Sequence, residues 1–329
     1  MRGFRDTPSI TEVGRINRAY YSMKRYTRKK SKLQRNRKYK NTFNSAILKK
    51  HIFLGGNGDE KAIFVNLGCG TDHVGLGNQL FVYAVGLVGK NRTGLPLYLI
   101  RGKNNPHSTK NYTTIFTEGI GVNNSNVAER IKGAKKIHEG IGLYGTWSDQ
   151  NIPTNKSSNL LFAGGYYHNY STITSVLPQM RKNFLEKFDS LYPNFKDQID
   201  SYKTACMHVR RGDFIAREWT TDFNYFQSGL TMLEGNPDIT TVYIVSDDIP
   251  WCKEQAWVTT KNIIYFDDPD EIKTLYLMML CKGAFILSAT STYGAWGAML
   301  GADENPNSII TYPVKWGNDL MFPDRWKMI

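Results

Sequence analysis

The chain has 329 residues, of which 41% are hydrophobic and 13% aromatic, which is enough for a buried core in one large or two packed domains. Its formal net charge is +13, but residues 1–50 contain 16 Lys and Arg against 2 Asp and Glu, so the remainder has a net charge of −1. A near-neutral body argues against a broad basic surface for nucleic acid outside that segment. We expect neither a transmembrane segment nor a secretory signal, because no apolar run approaches the roughly 18 residues that would span a membrane.

Residues 24–40 (KRYTRKKSKLQRNRKYK) are the most basic segment of the chain. They include few aliphatic residues, so they bury too little surface to offset the entropy lost on ordering. We therefore expect residues 1–60 to form a flexible basic arm that binds an anionic partner, such as nucleic acid or lipid headgroups, or a targeting receptor. A solvated tail with weak, non-specific binding is an equal alternative.

The cysteines are scattered and form no C-x-x-C pair, which is typical of free thiols in a reducing compartment. We expect a cytoplasmic protein, either soluble or peripherally associated with a membrane. Five N-x-S/T sequons leave the lumen of the secretory pathway open as an alternative. The four cysteines are Cys69, Cys206, Cys252 and Cys281.

The first predicted elements form half of a βαβ unit. Residues 61–67 (KAIFVNL) indicate a short buried strand, and a glycine-rich loop with Gly75 and Gly77 follows. Residues 78–90 then predict a helix with Asn78 as its N-cap. Residues 91–160 have weak periodicity and predict no regular element.

The second half of the chain alternates strands with helices, which is typical of a parallel α/β sheet. Strands are predicted at 205–209, 241–245 and 284–287, and helices at 180–192, 224–234 and 271–281.

Polar clusters follow three of these strands: His208–Asp213, Ser246–Asp248 and Thr290–Gly294. Ligands of open parallel sheets bind at the carboxyl ends of the strands. Three polar clusters at one edge therefore predict a binding site there.

Arg210 and Arg211 are suited to a nucleotide diphosphate, because each planar guanidinium group matches two phosphate oxygens. Ser291, Thr292 and the N–H groups around them would cap a helix and receive a phosphate at its positive end. The structural alternative for Arg210 and Arg211 is a surface turn without a ligand, and for Ser291 and Thr292 it is a helix cap without a ligand.

Asp247 or Asp248 would accept hydrogen bonds from a ribose or a base. The same pair precedes Ile249-Pro250 and equally fits the N-terminus of a helix. His208 fits either the ligand site or a buried core position.

Four blocks of the sequence resemble glycosyltransferase family 11, which contains the α-1,2-fucosyltransferases. The resemblance implies an α/β, GT-B-like fold with two Rossmann-like domains facing across a cleft. It also implies GDP-fucose as donor, no required metal or other cofactor, and inversion at the anomeric carbon of fucose. The blocks are GLGNQLFVYAVG (75–86), HVRRGDF (208–214), VSDDIPWCKE (245–254) and LYLMMLCKGAFILSATSTYGAWGAML (275–300).

The resemblance places an acceptor-side α/β domain in residues 61–200 and a GDP-sugar-binding Rossmann-like domain in residues 201–329. It implies that Arg210 lies on the donor diphosphate. Together with the polar clusters, it gives the donor-binding set His208, Arg210, Arg211, Asp247, Asp248, Ser291, Thr292 and Tyr293.

The acceptor implied by the resemblance is a glycan, and we expect one ending in galactose that receives fucose in α-1,2 linkage. The residues expected to line its cleft are in the first half of the chain: His73, Gly75, Gly77, Asn78 and Gln79.

The chain departs from the family pattern at residues 290–296 (TSTYGAW), where many bacterial members have Asn-Ser-Ser/Thr-Phe-Ser-Trp-Trp. This version is closer to the Ser-Thr-Phe-Gly form of animal members. Ala295 replaces a bulky aromatic residue, so a pocket is expected to be reshaped.

Transfer to a hydroxyl group needs a general base within hydrogen-bond reach. Asp213 is the first candidate, because it follows the arginines directly, and Glu218 is the second. Asp213 equally fits a role in holding Arg210 or Arg211 in place.

Three other functions are compatible with parts of the sequence. Asp268-Pro269-Asp270 fits the D-x-D pattern of a metal-dependent glycosyltransferase, although it also fits the start of the following helix. A nucleic-acid-binding protein would use the basic arm and show steep salt dependence. A degenerate transferase would bind a sugar nucleotide without turnover.

Overall fold

The computed structural model describes residues 60–68, 74–101, 112–138, 150, 152–154, 156–314 and 322–329. The predicted basic arm and the candidate acceptor residue His73 lie outside the described residues. Residues 61–329 form one compact unit, which contains two parallel β-sheets.

The first sheet comes from residues before 165 and has the strand order β3-β2-β1-β5-β4, with every neighbouring pair parallel. The order reverses between β1 and β5, so the crevice of this sheet lies beyond their carboxyl ends. Its strands are β1 (Ile63–Asn66), β2 (Leu97–Ile100), β3 (Ile120–Val122), β4 (Lys135–His138) and β5 (Leu160–Gly164).

The second sheet has the order β11-β10-β9-β6-β7-β8 and is also parallel throughout. Numbered from its own first strand, the order is the 3-2-1-4-5-6 arrangement of doubly wound nucleotide-binding sheets. Its switch point lies between β6 and β9. The strands are β6 (Thr204–Val209), β7 (Thr241–Ser246), β8 (Asn262–Phe266), β9 (Ala284–Ile286), β10 (Ile309–Tyr312) and β11 (Lys327–Met328).

Helices connect and cover the strands of both sheets. The α-helices are α1 (Leu76–Thr93), α2 (Asn124–Lys132), α3 (Tyr170–Ile173), α4 (Leu177–Leu191), α5 (Gly212–Ile215), α6 (Phe223–Glu234), α7 (Ile249–Glu254), α8 (Glu271–Leu280) and α9 (Thr292–Leu300). Short 3-10 turns occupy Tyr112–Thr114, Thr174–Val176, Lys196–Gln198, Ser201–Lys203 and Ala302–Glu304.

Helix α1 begins two residues before the predicted start, so Asn78 is inside the helix and not its N-cap. Gly75 is the N-cap, with extended backbone angles of −69° and 168°. The reason is apolar burial, because Leu76 is almost fully enclosed and extends the helix toward the sheet. The helix ends at Gly94 in the left-handed region (φ 69°), which favours glycine.

Helices α1 and α9 join the two sheets. Phe81 of α1 and Trp296 of α9 are both fully buried, with their ring centroids 4.8 Å apart. On its other side α9 packs tightly on α8, since a Cβ at Gly297 would lie 2.8 Å from Cβ of Met278. The core therefore runs continuously from the helix of the first sheet to the helices of the second.

The expected α/β class with parallel sheets is confirmed. Residues 91–160, which predict no element, contribute β2, β3, β4 and the start of β5, and residues after 300 contribute β10 and β11. The division of the body at residue 200 stays a prediction. Within the described residues, every helix is too short or too polar to cross a membrane.

Candidate active site

Ser288 closes the switch point of the second sheet. The ladder between β6 and β9 pairs Ala205–Met207 with Ala284–Ile286, and the two strands then separate. Beyond the ladder, the buried Ser288 hydroxyl accepts a hydrogen bond from the Arg210 N–H at 2.7 Å and donates one to the His208 carbonyl at 2.6 Å. The strands thus open into a crevice while their ends stay tied.

Arg210 follows β6 directly and is held on three sides. Its Nη2 lies 2.5 Å from Asp213 Oδ1, and its Nη1 lies 3.0 Å from Asp247 Oδ2. Its guanidinium carbon is 5.4 Å from the centre of the Phe214 ring. The side chain remains about one third exposed, so a preoriented guanidinium group is accessible to a ligand beside the switch point.

Arg211 is held by a separate set of groups. Its backbone N–H donates to Asp247 Oδ1 at 2.8 Å, and its Nε lies 3.2 Å from Asp248 Oδ2. The guanidinium carbon stacks 3.8 Å from the centre of the Trp251 ring, a contact that the sequence analysis missed. The sequence signal for this contact is Trp251 itself, which follows Asp248 by three residues in the motif VSDDIPWC.

Asp247 and Asp248 therefore orient the two arginines, and Asp248 also caps α7 by accepting from the Trp251 N–H at 3.3 Å. Gly212 belongs to the same arrangement, because a Cβ there would overlap the Asp247 carboxylate. The expectation that these carboxylates contact a ribose or a base stays a prediction.

The N-terminus of α9 lies next to this crevice. Ser291 caps it by accepting from the Gly294 N–H at 3.4 Å. Thr290 has φ of 52°, a strained backbone conformation for a β-branched residue and one that is characteristic of functional sites. Its buried Oγ1 has no hydrogen-bond partner among the described residues.

His208 is buried beneath the same helix turn. A Cβ at Gly294 would lie 2.6 Å from His208 Nδ1, and this nitrogen too has no hydrogen-bond partner in the described part of the chain. Burial, assisted by the positive charge of Arg210, lowers the pKa of His208 to about 3. Burial thus favours the neutral form of the imidazole.

Tyr293 packs edge-on to His208 at 6.0 Å, and its hydroxyl donates to the Glu271 carbonyl at 2.5 Å. Burial raises the pKa of Tyr293 well above its ordinary value. Its hydroxyl group thus anchors the start of α9 on α8.

Gly77, at the start of α1, lies against the start of α9. A Cβ at Gly77 would clash with the backbone N of Tyr293, so the N-termini of α1 and α9 are in direct contact. A Cβ at Gly75, by contrast, would meet nothing within 4 Å. Gln79 is buried and donates to the Val74 carbonyl at 3.2 Å, which gives it a structural role.

Asn78 is paired with His168, which the sequence analysis missed. His168 Nε2 lies 3.0 Å from Asn78 Oδ1, and because an amide oxygen only accepts, the imidazole is the donor. His168 lies between Tyr166, at 5.3 Å, and Phe81, at 4.8 Å. Burial lowers its pKa to about 3, so this imidazole is also neutral.

A signal for His168 was present in the sequence. The apolar run 160–163 ends in Gly164-Gly165 and then in Tyr-Tyr-His-Asn, which has the form of a buried strand followed by a polar edge.

We use the term strap for residues 212–221, which connect Arg211 to α6. Asp213 lies between two arginines, because its other oxygen is 3.7 Å from Arg217 Nε. Glu218 is exposed and has φ of 57°. At the far end, Thr221 Oγ1 accepts from the Ala289 N–H at 2.7 Å.

The D-x-D segment has a structural role at the start of α8. Asp270 caps the helix by accepting from the Ile272 N–H at 3.0 Å. Asp268 accepts from the Asp270 N–H at 2.9 Å and pairs with Lys273 at 2.9 Å. Both carboxylates are thus engaged within the protein, which favours the helix-start interpretation.

A family model, described as glycosyl transferase family 11, matches residues 103–318. The O-antigen biosynthesis glycosyltransferase WbnK of Escherichia coli is 26% identical over 176 residues, which cover 49% of this chain and 56% of that protein. The putative galactoside 2-alpha-L-fucosyltransferase svh-11 of Caenorhabditis elegans is 23% identical over 192 residues, covering 53% and 51%. The matched segments thus span little more than half the length of these relatives.

Among solved structures, POFUT1 in complex with GDP shares 12% identity, with 77% of this chain and 98% of that chain covered and a TM-score of 0.47. The fucosyltransferase NodZ from Bradyrhizobium shares 12% identity, with 74% and 93% covered and a TM-score of 0.43.

Proposed function

Because the chain belongs to glycosyl transferase family 11, we propose that it is a fucosyltransferase that transfers L-fucose from GDP-fucose to a galactose-terminated glycan. The observation that carries the proposal is Arg210, held beside the switch point of a doubly wound sheet by two aspartates while its side chain stays about one third exposed. The name of the Caenorhabditis elegans relative supports galactose as the acceptor and α-1,2 as the linkage.

The donor diphosphate binds between the arginines and the first turn of α9. Arg210 and Arg211 supply paired N–H donors, and the helix N-terminus supplies backbone N–H groups with a favourable dipole. The unsatisfied buried atoms Thr290 Oγ1 and His208 Nδ1 support this placement, since buried polar atoms ordinarily have partners. Tyr293 and Ser291 hold the helix turn in position.

In the transfer step, the bond between the anomeric carbon of fucose and the β-phosphate oxygen breaks. Its electron pair goes to that oxygen, where Arg210 and the helix N-terminus stabilise the new charge. The acceptor hydroxyl oxygen forms the new bond from the opposite face of the sugar, which inverts the anomeric configuration. Its proton passes to a general base.

The geometry favours Asp213 as the group that positions Arg210 and not as the base. One of its oxygens lies 2.5 Å from Arg210, and the other lies toward Arg217. Glu218, exposed on the same strap, remains the second candidate for the base.

The acceptor hydroxyls meet the edge of the first sheet, at the start of α1. Asn78 presents a carboxamide there whose oxygen is fixed by His168, which leaves its NH2 group as a donor for a sugar oxygen. Gly77 brings this position next to the start of α9 and hence next to the donor.

We propose that transfer needs no divalent metal ion. The arginines and the helix N-terminus supply the positive charge that such an ion would otherwise place on the diphosphate. The engagement of Asp268 and Asp270 at the start of α8 supports the same proposal.

We further propose a reducing, cytoplasmic location, with the basic arm meeting an anionic partner. The buried and free thiols of Cys206, Cys252 and Cys281 support the reducing compartment.

Calorimetric titration of the full chain with GDP-fucose, GDP-mannose and UDP-galactose, in EDTA, tests donor and metal independence together. We expect selective binding of GDP-fucose, followed by transfer to methyl β-lactoside, with the linkage determined by NMR. Absence of binding to all three nucleotides would contradict the proposal. Binding that returns only with added Mg²⁺ or Mn²⁺ would contradict metal independence alone.

A further inference from the structure

The strap stands directly above the switch point of the second sheet, because both of its ends are tied there. The Arg210 N–H, just before the strap, bonds Ser288, and Thr221 at its far end bonds the N–H of Ala289. These two anchors are adjacent in sequence at the exit of β9. The residues between them therefore project as a loop from the mouth of the crevice.

Trp219 is fixed in the middle of this projection. The backbone N–H of Trp219 donates to the Phe214 backbone carbonyl at 3.0 Å. The indole ring meets the Phe214 ring edge-on, with the ring centroids 5.7 Å apart. Phe214 is itself buried and lies against the guanidinium group of Arg210. The indole is thus one aromatic ring away from the arginine that we assign to the donor.

Despite these contacts, Trp219 is 48% exposed, and Ile215 on the same strap is 51% exposed. The backbone turn before Trp219 uses Glu218 in the left-handed region, a conformation that a non-glycine residue adopts at a cost. Burial of the indole would be the more stable arrangement in the free protein. A strained turn that instead exposes it to solvent therefore indicates a binding role for Trp219.

We infer that Trp219 is the stacking platform for the acceptor sugar of the proposed transfer, and this inference rests on that proposed function. The apolar face of a galactose ring, which bears H3, H4 and H5, matches the flat face of an indole. The guanidinium carbon of Arg217 lies over the Trp219 ring, 5.0 Å from its centre. The sugar therefore stacks on the opposite face of the indole, and the Arg217 N–H groups are donors for hydroxyls at the edge of the ring.

The position selects the acceptor over the donor sugar. The diphosphate on Arg210 fixes where the transferred fucose lies, and Phe214 separates Arg210 from Trp219. The platform therefore reaches the sugar that lies beyond the transferred one.

Tyr202 provides a matched control. It is also an exposed aromatic residue, at 60%, with a cation over its ring, since Lys282 Nζ lies 5.6 Å from the ring centre. It precedes β6, at the opposite edge of the sheet from the strap. Trp219→Ala, Trp219→Phe and Tyr202→Ala are compared with the wild-type chain in transfer to methyl β-lactoside, in GDP-fucose hydrolysis without acceptor, and in thermal stability.

We expect Trp219→Ala to raise the acceptor KM about tenfold, the effect of losing one stacking contact. The rate of GDP-fucose hydrolysis and its KM stay at the wild-type values. Trp219→Phe, which keeps a smaller ring, raises the acceptor KM about threefold. Tyr202→Ala changes none of these quantities.

Equal acceptor KM values in Trp219→Ala and Tyr202→Ala would overturn the inference. So would a Trp219→Phe variant that loses donor hydrolysis in parallel with thermal stability, because Trp219 would then only support the fold. A wild-type chain that neither binds nor hydrolyses GDP-fucose would identify the proposed function as the error, and the inference would fall with it.

Discussion

At the carboxyl edge of the second sheet, Arg210 and Arg211 lie within ion-pair distance of aspartates, and we call this the charged edge. At the carboxyl edge of the first sheet, a neutral imidazole donates to an amide, in the pair His168–Asn78, and we call this the neutral edge. The two edges come from the same parallel architecture and meet where α1 touches α9.

The difference shows how one kind of sheet can be adapted to the two substrates of the function that we propose. A diphosphate needs fixed cations, and the aspartates of the charged edge keep two like charges close together before the ligand arrives. A sugar hydroxyl needs directional donors and acceptors without net charge, which a buried neutral imidazole and an amide provide. Burial keeps His168 neutral, so the two edges stay distinct over the working range of pH.

The largest expected effect comes from changing the charged edge. Arg210→Lys keeps the charge but loses the planar fork between Asp213 and Asp247, so kcat/KM for transfer falls about a hundredfold, or about 3 kcal/mol. Steady-state kinetics with GDP-fucose measure it. The control is Arg130→Lys, in α2 of the first sheet, where the cation lies 5.1 Å from the Tyr98 ring centre. Near-normal turnover of Arg210→Lys would remove the donor assignment.

The next effect probes where the two edges meet. Gly77→Ala places a Cβ against the backbone of α9, so the free energy of unfolding falls by about 2–3 kcal/mol. Gly75→Ala, two residues earlier, meets nothing within 4 Å, and replacing this glycine N-cap by alanine lowers the free energy of unfolding by about 1 kcal/mol or less. Chemical denaturation measures both variants. Equal stability in the two would mean that α1 and α9 are not in contact.

A smaller effect concerns the neutral edge and pH. The folded-state pKa of His168, about 3, is below its unfolded value, so the unfolded state binds more protons and stability is lost as pH falls below about 6.5. Between pH 7 and pH 5 the wild type should lose about 2 kcal/mol more than His168→Gln, which cannot titrate. Urea denaturation at both pH values measures this difference. Equal losses would show that His168 is protonated within the fold.

The smallest effect separates positioning from proton transfer at the charged edge. Because the pair of Asp213 and Arg210 is partly exposed and screened by water, Asp213→Asn should lower turnover by less than about tenfold. Loss of a general base would cost about a hundredfold or more. Single-turnover rates of Asp213→Asn and Glu218→Gln decide the matter: a hundredfold loss in the first variant would make Asp213 the base.

The main elements of the second sheet were predictable, because they carry strong local signals. The strand at 204–209 is buried along its whole length, and α8 is continuously apolar from Leu275 to Leu280. The strands of the first sheet were not, since β3 and β4 are edge strands with mostly exposed residues and little apolar alternation. Their pairing with β2 and β5 depends on tertiary contacts that no local pattern records.

The same contrast holds for the candidate site. Arg210 and Arg211 were identified from a contiguous motif, whereas His168 is 90 residues from Asn78 and Ser288 is 78 residues from Arg210. The roles of Asp247 and Asp248 as arginine partners depend on the register of β6 with β7, which pairs Val209 with Ser246. Residue types were therefore readable from the sequence, but their partners were set by topology.

The two hydrogen bonds that anchor the strap have a consequence for how the acceptor preference of such a protein could change in evolution. Ser288 and Ala289 anchor both ends of the strap to a single dipeptide, and neither anchor involves the residues that project between them. Gly212, Asp213 and Phe214 at the start of the strap fix Arg210 and Asp247, whereas the exposed side chains after Phe214 can change while the crevice below keeps its geometry. New glycan preferences are then accessible through changes in Ile215, Arg217 and Trp219, without passing through variants that have lost the donor.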